Sequence, residues 1–275
     1  MVLGCAHVDA SAEVVIALKP DKNPDRMLAE REQLSEALSK ELGEAVRVIV
    51  PLSPAVILEG LSNGSIDLAY LSSTDLAHAS KAGVARLLLA GEIEGKRFYQ
   101  SYWLALNEKP YRSIEDLRGH PVAFASRTST SGYLIPLLAL AKKNLIQRDP
   151  EEFFGKGNVW FGTGYSSAVE RVLAGEAEAA AVSDYVFDKG NHLTPEQRAR
   201  LKVIDTQGPV PTHVIAASTR LPPERCAALR AALLSLQSKE PALCESIFTS
   251  KLVEADEAEH LAPVREALEF AISQP

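Results

Sequence analysis

Cations are in deficit in this chain: 29 Lys and Arg stand against 36 Asp and Glu over 275 residues, a net charge of −7. Nucleic-acid and anionic-membrane surfaces need clustered Lys and Arg, so both are disfavoured as partners. No apolar run approaches the roughly 20 residues that a bilayer span requires. Cysteine is scarce too. Cys5, Cys226 and Cys244 lie far apart, with no Cys-x-x-Cys and no Cys/His grouping, and the six histidines are scattered without ligand spacing. No metal and no cofactor is therefore expected. Cys226 and Cys244 read as small core residues of a helical C-terminal part, with a disulfide between them left open. Missing as well are a Gly-x-Ser-x-Gly elbow, a Walker sequence, a His-Glu-x-x-His pair and a Ser-x-x-Lys placed to open a helix beside a site. An enzyme is not expected.

The remaining composition, 46% apolar and 24% charged, describes a globular protein long enough for one large domain or two ordinary ones. Its organising stretch is Val122-Ala-Phe-Ala-Ser-Arg-Thr-Ser-Thr-Ser-Gly-Tyr-Leu-Ile-Pro136. An apolar strand runs into hydroxyl and basic residues, then a glycine, then an amphipathic run from Tyr133 to Ala141. The first amides of a helix have no intrahelical partner and carry about half a positive charge, so such a start can hold an oxyanion without a full cation. One hydroxyl suffices for an N-cap. Ser129, Thr130 and Ser131 exceed that need, which points to a ligand. Ser72, Ser73 and Thr74 repeat the arrangement after the strand Ile66–Leu71, with Asp75 reading as part of a helix cap. In open α/β sheets ligands gather beyond the carboxyl ends of strands, where both seats fall.

Strands alternate with helices twice along the chain, interrupted near residues 104 and 210. A mostly parallel sheet covered on both faces is expected in each half. The expected division is an N-terminal segment 1–12, one lobe from 13–104 with 211–275, and a second lobe from 105–210.

Four stretches carry a resemblance: Gly64-Ser-Ile-Asp-Leu-Ala-Tyr70, Ser113-Ile-Glu-Asp-Leu-Arg-Gly119, the Ser-Thr-Ser-Gly-Tyr-Leu-x-Pro run at 129–136, and Glu170 to Ala181 with its Val-Leu-x-Gly-Glu-Ala centre. Together they resemble the phosphonate/phosphite/phosphate-binding periplasmic proteins of ABC transporters, over nearly all of the chain after about residue 12. The resemblance implies a type II periplasmic-binding-protein fold, two α/β lobes joined by two hinge crossings that close on an oxyanion. Position by position, Ser129, Thr130 and Ser131 match the family's phosphoryl-binding hydroxyls, and Tyr99 matches a pocket tyrosine. A first-lobe tyrosine of the family falls on Ser53, and a second-lobe histidine on Tyr165. Family members that take aminoalkyl phosphonates meet the ammonium with carboxylates, whose positions here hold Tyr185 and His213; whether Asp184 rather than Tyr185 faces the cleft stays open. A buried carboxylate is costly without its cation, so this set implies a ligand without an amine.

The expected function is capture of phosphite, phosphate or a plain alkylphosphonate for an ABC permease. The alternative is a sensor component that reports a related oxyanion to a membrane histidine kinase. Val2-Leu3-Gly4-Cys5 has the form of the end of a lipoprotein signal, which makes Cys5 a lipidation candidate and the expected location extracytoplasmic.

Overall fold

A computed structural model describes residues 13–19, 24–190, 193–248 and 250–272. Cys5 lies outside the described residues. In chain order, β1 (Val14–Ala17), α1 (Pro24–Leu42), β2 (Val46–Ile49), α2 (Pro54–Asn63), β3 (Leu68–Leu71), α3 (Ser73–Lys81) and β4 (Ala85–Glu92) come first. They are followed by β5 (Phe98–Leu106), β6 (Val122–Phe124), α4 (Ile135–Lys142), α5 (Glu151–Phe154), β7 (Val159–Phe161), α6 (Tyr165–Leu173), β8 (Ala179–Ser183), α7 (Asp184–Asp188), α8 (Pro195–Ala199) and β9 (Leu201–Pro211). The chain ends with β10 (Val214–Ser218), α9 (Pro223–Lys239), α10 (Pro241–Phe248), β11 (Lys251–Val253) and α11 (Glu257–Ile272). No helix among the described residues is long and apolar enough to cross a membrane.

Two compact units emerge. Among the described residues, the first contains those up to Leu71, with His78–Gly91 and His213–Ala255. Its six-stranded sheet has the order β11-β4-β10-β3-β1-β2, with β1 parallel to β2 and β3, and β10 antiparallel to β3 and β4. β1 and β3 are buried along their whole length, as expected for strands covered on both faces. Leu34 and Leu38 of α1 and Leu229 and Leu233 of α9 meet Val14, Ile16, Leu68 and Ile215 in its core. Cys226 and Cys244 belong to this core as free thiols, so the open disulfide is not formed.

Among the described residues, the second unit contains Ser72–Ala77, Glu92–Thr212 and those from Asp256 to Ile272. Its sheet has the order β7-β6-β8-β5-β9. β6 runs parallel to β7 and β8, while β5 is antiparallel to β8 and β9. Under this sheet Trp103, Phe124 and Phe154 pack with ring centroids 5.4 to 6.4 Å apart, the tilted and edge-on contacts that aromatic quadrupoles favour.

This division differs from the expected boundaries in definite places. β5 lies in the second sheet from Phe98 onward, because its whole length pairs with β9. The C-terminal helix α11 also belongs to the second unit, since its Ala267 is buried in the Trp103 and Phe124 core. Leu201–Pro211 forms one continuous strand, β9, which runs through the interruption expected near residue 210. β4 and β11 complete the first sheet.

Candidate functional site

The helix expected to open at Tyr133 opens earlier and in a wider form. Ser129 is an N-cap whose Oγ accepts the N–H of Gly132 at 3.0 Å. Leu134 N–H then donates to the Ser129 carbonyl at 3.0 Å, and Ile135 N–H donates to the Thr130 carbonyl. Both bonds span five residues, so Thr130–Leu134 is a π-turn leading into α4; such turns recur at functional sites. Gly132 permits it. A Cβ there would stand 2.4 Å from the Ala125 Cβ and 3.3 Å from the Ala181 carbonyl, so the turn lies directly on the end of β6 and on β8.

Around this turn a cluster of hydroxyls assembles within the second unit. Tyr99 OH donates to Ser131 Oγ at 3.3 Å, and Ser131 Oγ lies 2.7 Å from Tyr165 OH. The Tyr185 ring packs against both tyrosines, with centroids 6.1 Å from Tyr99 and 5.8 Å from Tyr165. Thr74 Oγ1, at the start of α3, is 2.7 Å from Thr130 Oγ1, and both are buried. Desolvation, helped by the neighbouring Tyr165, pushes the Tyr99 phenol well above its ordinary pKa. It is therefore a neutral hydrogen-bond donor throughout the physiological range. The assembled groups are hydroxyls, which can turn their protons toward an acceptor.

Asp184 directly precedes Tyr185 at the start of α7. Its carboxylate accepts from Gln100 N–H at 2.8 Å and Tyr185 N–H at 2.7 Å, which commits it to β5 and the start of α7. Burial raises its pKa, opposed by those amide bonds. Ser72 and Ser73 are likewise occupied elsewhere. Ser72 Oγ and Asp75 form a cap, with Asp75 N–H donating to Ser72 Oγ at 3.1 Å and Ser72 Oγ donating to Asp75 Oδ2 at 2.5 Å. Ser73 Oγ donates to the carbonyls of Pro211 and Thr212 at 3.0 and 2.6 Å, fastening α3 to the end of β9. Tyr102 bonds Asp188 at 2.9 Å, outside the cluster. Arg127 stacks on Phe161 at 3.9 Å.

Ser53 and His213 belong to the first unit. Ser53 opens α2 with extended backbone, and its side chain makes no cap bond. The His213 ring lies 5.4 Å from that of Tyr70, whose hydroxyl donates to the Phe248 carbonyl. Desolvation, with Lys19 adding to it, lowers the His213 pKa to about 3, so the imidazole is neutral.

Sequence reasoning missed Ser101 and Gln207. Ser101 Oγ donates to the Ser131 carbonyl at 2.6 Å, and Gln207 Nε2 donates to Ser101 Oγ at 2.7 Å. One signal was present: Tyr99 and Ser101 are two residues apart on a strand and so share a face.

The profile of the family described as "ABC transporter, phosphonate, periplasmic substrate-binding protein" matches residues 16–260. The chain belongs to this family. A phosphate-import protein PhnD of Mycolicibacterium smegmatis is 27% identical over 220 residues, 77% of this chain and 68% of that one. Among solved structures, XAC2383 of Xanthomonas citri, bound to chloride ion, superposes with a TM-score of 0.81 at 19% identity over 94% of this chain and 99% of that one. PhnD1 of Prochlorococcus marinus, in complex with methylphosphonate, gives 0.76 at 18% identity over 94% and 97%. These similarities establish the type II periplasmic-binding-protein fold, and membership makes the chain a substrate-binding component of an ABC importer, with a small ligand and a membrane permease as its partners. The sensor alternative draws no support from them.

Proposed function

We propose that this phosphonate-family protein binds a small phosphorus oxyanion without an amino group, such as phosphite, phosphate or methylphosphonate, and hands it unchanged to its permease. The observation that carries this reading is Ser131 Oγ held between Tyr99 and Tyr165 hydroxyls at the start of a turn whose Thr130 hydroxyl meets Thr74. Several neutral donors converging on one place suit the oxygens of a tetrahedral anion, and they desolvate far more cheaply than cations. The 129–131 hydroxyls and Tyr99 are the principal ligand donors, with Thr74 and Tyr165 beside them.

Two features favour a ligand without an amine. The Asp184 carboxylate is engaged by backbone amides, and His213 is a neutral ring. His213 carries no negative charge, and the amide bonds take up part of the Asp184 carboxylate's capacity to accept from an ammonium. No chemistry on the ligand is expected either, because the partners of Ser131 Oγ are phenols and not a base that would activate it. The relatives named phosphate-import protein and methylphosphonate-bound PhnD1 are consistent with this ligand class.

Isothermal titration calorimetry with phosphite, phosphate, methylphosphonate and aminoethylphosphonate tests the proposal. At least one of the first three should bind far more tightly than the amine, and joint replacement of Ser129, Thr130 and Ser131 by Ala should abolish that binding. Tight binding of the aminoalkyl compound alone would overturn it.

A further inference from the structure

We propose that Ser101 and Gln207 are positioning residues that hold the 130–134 turn in its wide register and so aim the Thr130 and Ser131 hydroxyls at the ligand. The inference rests on reading residues 129–131 as the oxyanion seat. It starts from the hydrogen bonds of the turn. Ile135 N–H, which in an α-helix would serve the Ser131 carbonyl, goes to the Thr130 carbonyl. Continuing the five-residue pattern would bring residue 136 to Ser131, but residue 136 is Pro and has no N–H. The Ser131 carbonyl is thus deprived of both main-chain donors in a residue that is fully buried.

Ser101 supplies the missing donor. Its Oγ donates to that carbonyl at 2.6 Å from the middle of β5, where Ser101 is opposite Ser183 on one side and Gln207 on the other. A serine hydroxyl has one proton, and something must decide where it points. Gln207 Nε2 does so, donating to Ser101 Oγ at 2.7 Å and leaving the serine proton for Ser131. Ser101 is fully buried and Gln207 nearly so, which keeps water from substituting for either.

The consequence for the seat is geometric. Without Ser101, the stranded carbonyl regains a partner by drawing Ile135 N–H back into the ordinary four-residue register. That removes one residue from the turn and rotates the residues before it by up to about 100°. Ser131 Oγ then leaves the Tyr99 and Tyr165 hydroxyls, and Thr130 leaves Thr74. Tyr99 and Ser101, on one face of one strand, therefore hold the same residue by side chain and by backbone.

The test is calorimetric titration of the full chain with phosphate and methylphosphonate, alongside thermal melting. Ser101→Ala and Gln207→Leu should each weaken binding by about 10- to 30-fold, and the double variant should be no weaker than Ser101→Ala, because both act through one carbonyl. Gln207→Glu gives a readout that a purely structural role would not move. Its introduced carboxylate accepts the serine proton and turns it away from Ser131, so affinity relative to wild type should fall at neutral pH and recover as that carboxylate is protonated. If Ser101→Ala does not fold, the two Gln207 variants carry the same comparison. Lowered melting temperatures with unchanged affinities would overturn the positioning role while leaving the proposed ligand intact. A wild-type protein that binds none of these oxyanions would overturn the ligand reading, and the positioning role with it.

Discussion

Ser72-Ser73-Thr74 and Ser129-Thr130-Ser131 look alike in sequence, each three hydroxyls between a strand and a helix, yet they divide their work differently. In the first, Ser72 closes a cap with Asp75, Ser73 fastens α3 to β9, and Thr74 alone reaches Thr130. In the second, Ser129 accepts from Gly132 without using its own proton, and Thr130 and Ser131 both face other hydroxyls. The backbone that follows makes the difference. α3 continues in a regular register from its cap, whereas the other start opens through the wide turn that Gly132 permits. On the proposed reading, a run of hydroxyls serves a ligand where the local backbone does not itself use them as caps or ties.

Removing one hydroxyl from the center of the second start should produce the largest effect. Ser131→Ala takes away the oxygen that links Tyr99 and Tyr165. One charge-assisted hydrogen bond is worth about 1.5–3 kcal/mol, and every 1.4 kcal/mol is tenfold, so calorimetry should show affinity for the best oxyanion falling by roughly 100-fold. Affinity within a few-fold of wild type would show that the two starts do not differ in the way argued.

Ser73→Ala asks the converse question of the first start. The serine is buried, and its loss leaves the Thr212 carbonyl with less than its full set of donors. Stability should drop by about 1–3 kcal/mol in denaturant unfolding. Affinity should change only slightly.

The same carbonyl also receives His260, whose Nε2 lies 3.2 Å from it in a fully buried position. Desolvation lowers the His260 pKa below its ordinary 6.5, partly offset by that bond, and His213 is lowered to about 3. A histidine depressed in the folded state binds its proton more readily when unfolded. Stability is therefore full above about pH 6.5 and declines as pH falls below it. Unfolding midpoints measured from pH 7 to 4 should show this loss, and His260→Gln should make the slope shallower. An unchanged slope would separate His260 from the acid response.

How much of this was legible beforehand follows from the same residues. The two α/β halves could be read because alternation and buried apolar strands are local patterns. The hydroxyl-rich helix start at 129–131 was legible because three hydroxyls exceed a cap's need; that it seats an oxyanion is our proposal. Ser101 and Gln207 could not, since they act on Ser131 across two neighbouring strands, and a lone Ser or Gln in a strand has no distinctive spacing. The allegiance of α11 was equally hidden: its amphipathic pattern announces a buried face and says nothing of which core that face joins. The partners of Ser72 and Ser73 were hidden for a related reason. A cap and a carbonyl tie use the same residue types as a ligand site, and only their partners distinguish them.

The smallest effect should come from Ser72→Ala. The change removes a cap that is partly open to solvent, so water can replace the serine at the Asp75 amide, and N-cap losses of this kind cost about 1 kcal/mol. In a chain of this size that corresponds to a melting shift of about 2–4 °C. The affinity for oxyanion should stay within about twofold, because Thr74, and not Ser72, touches Thr130. A loss approaching that of Ser131→Ala would mean that the cap sets the position of Thr74 tightly enough for the two starts to work as one seat, and the distinction between them would collapse.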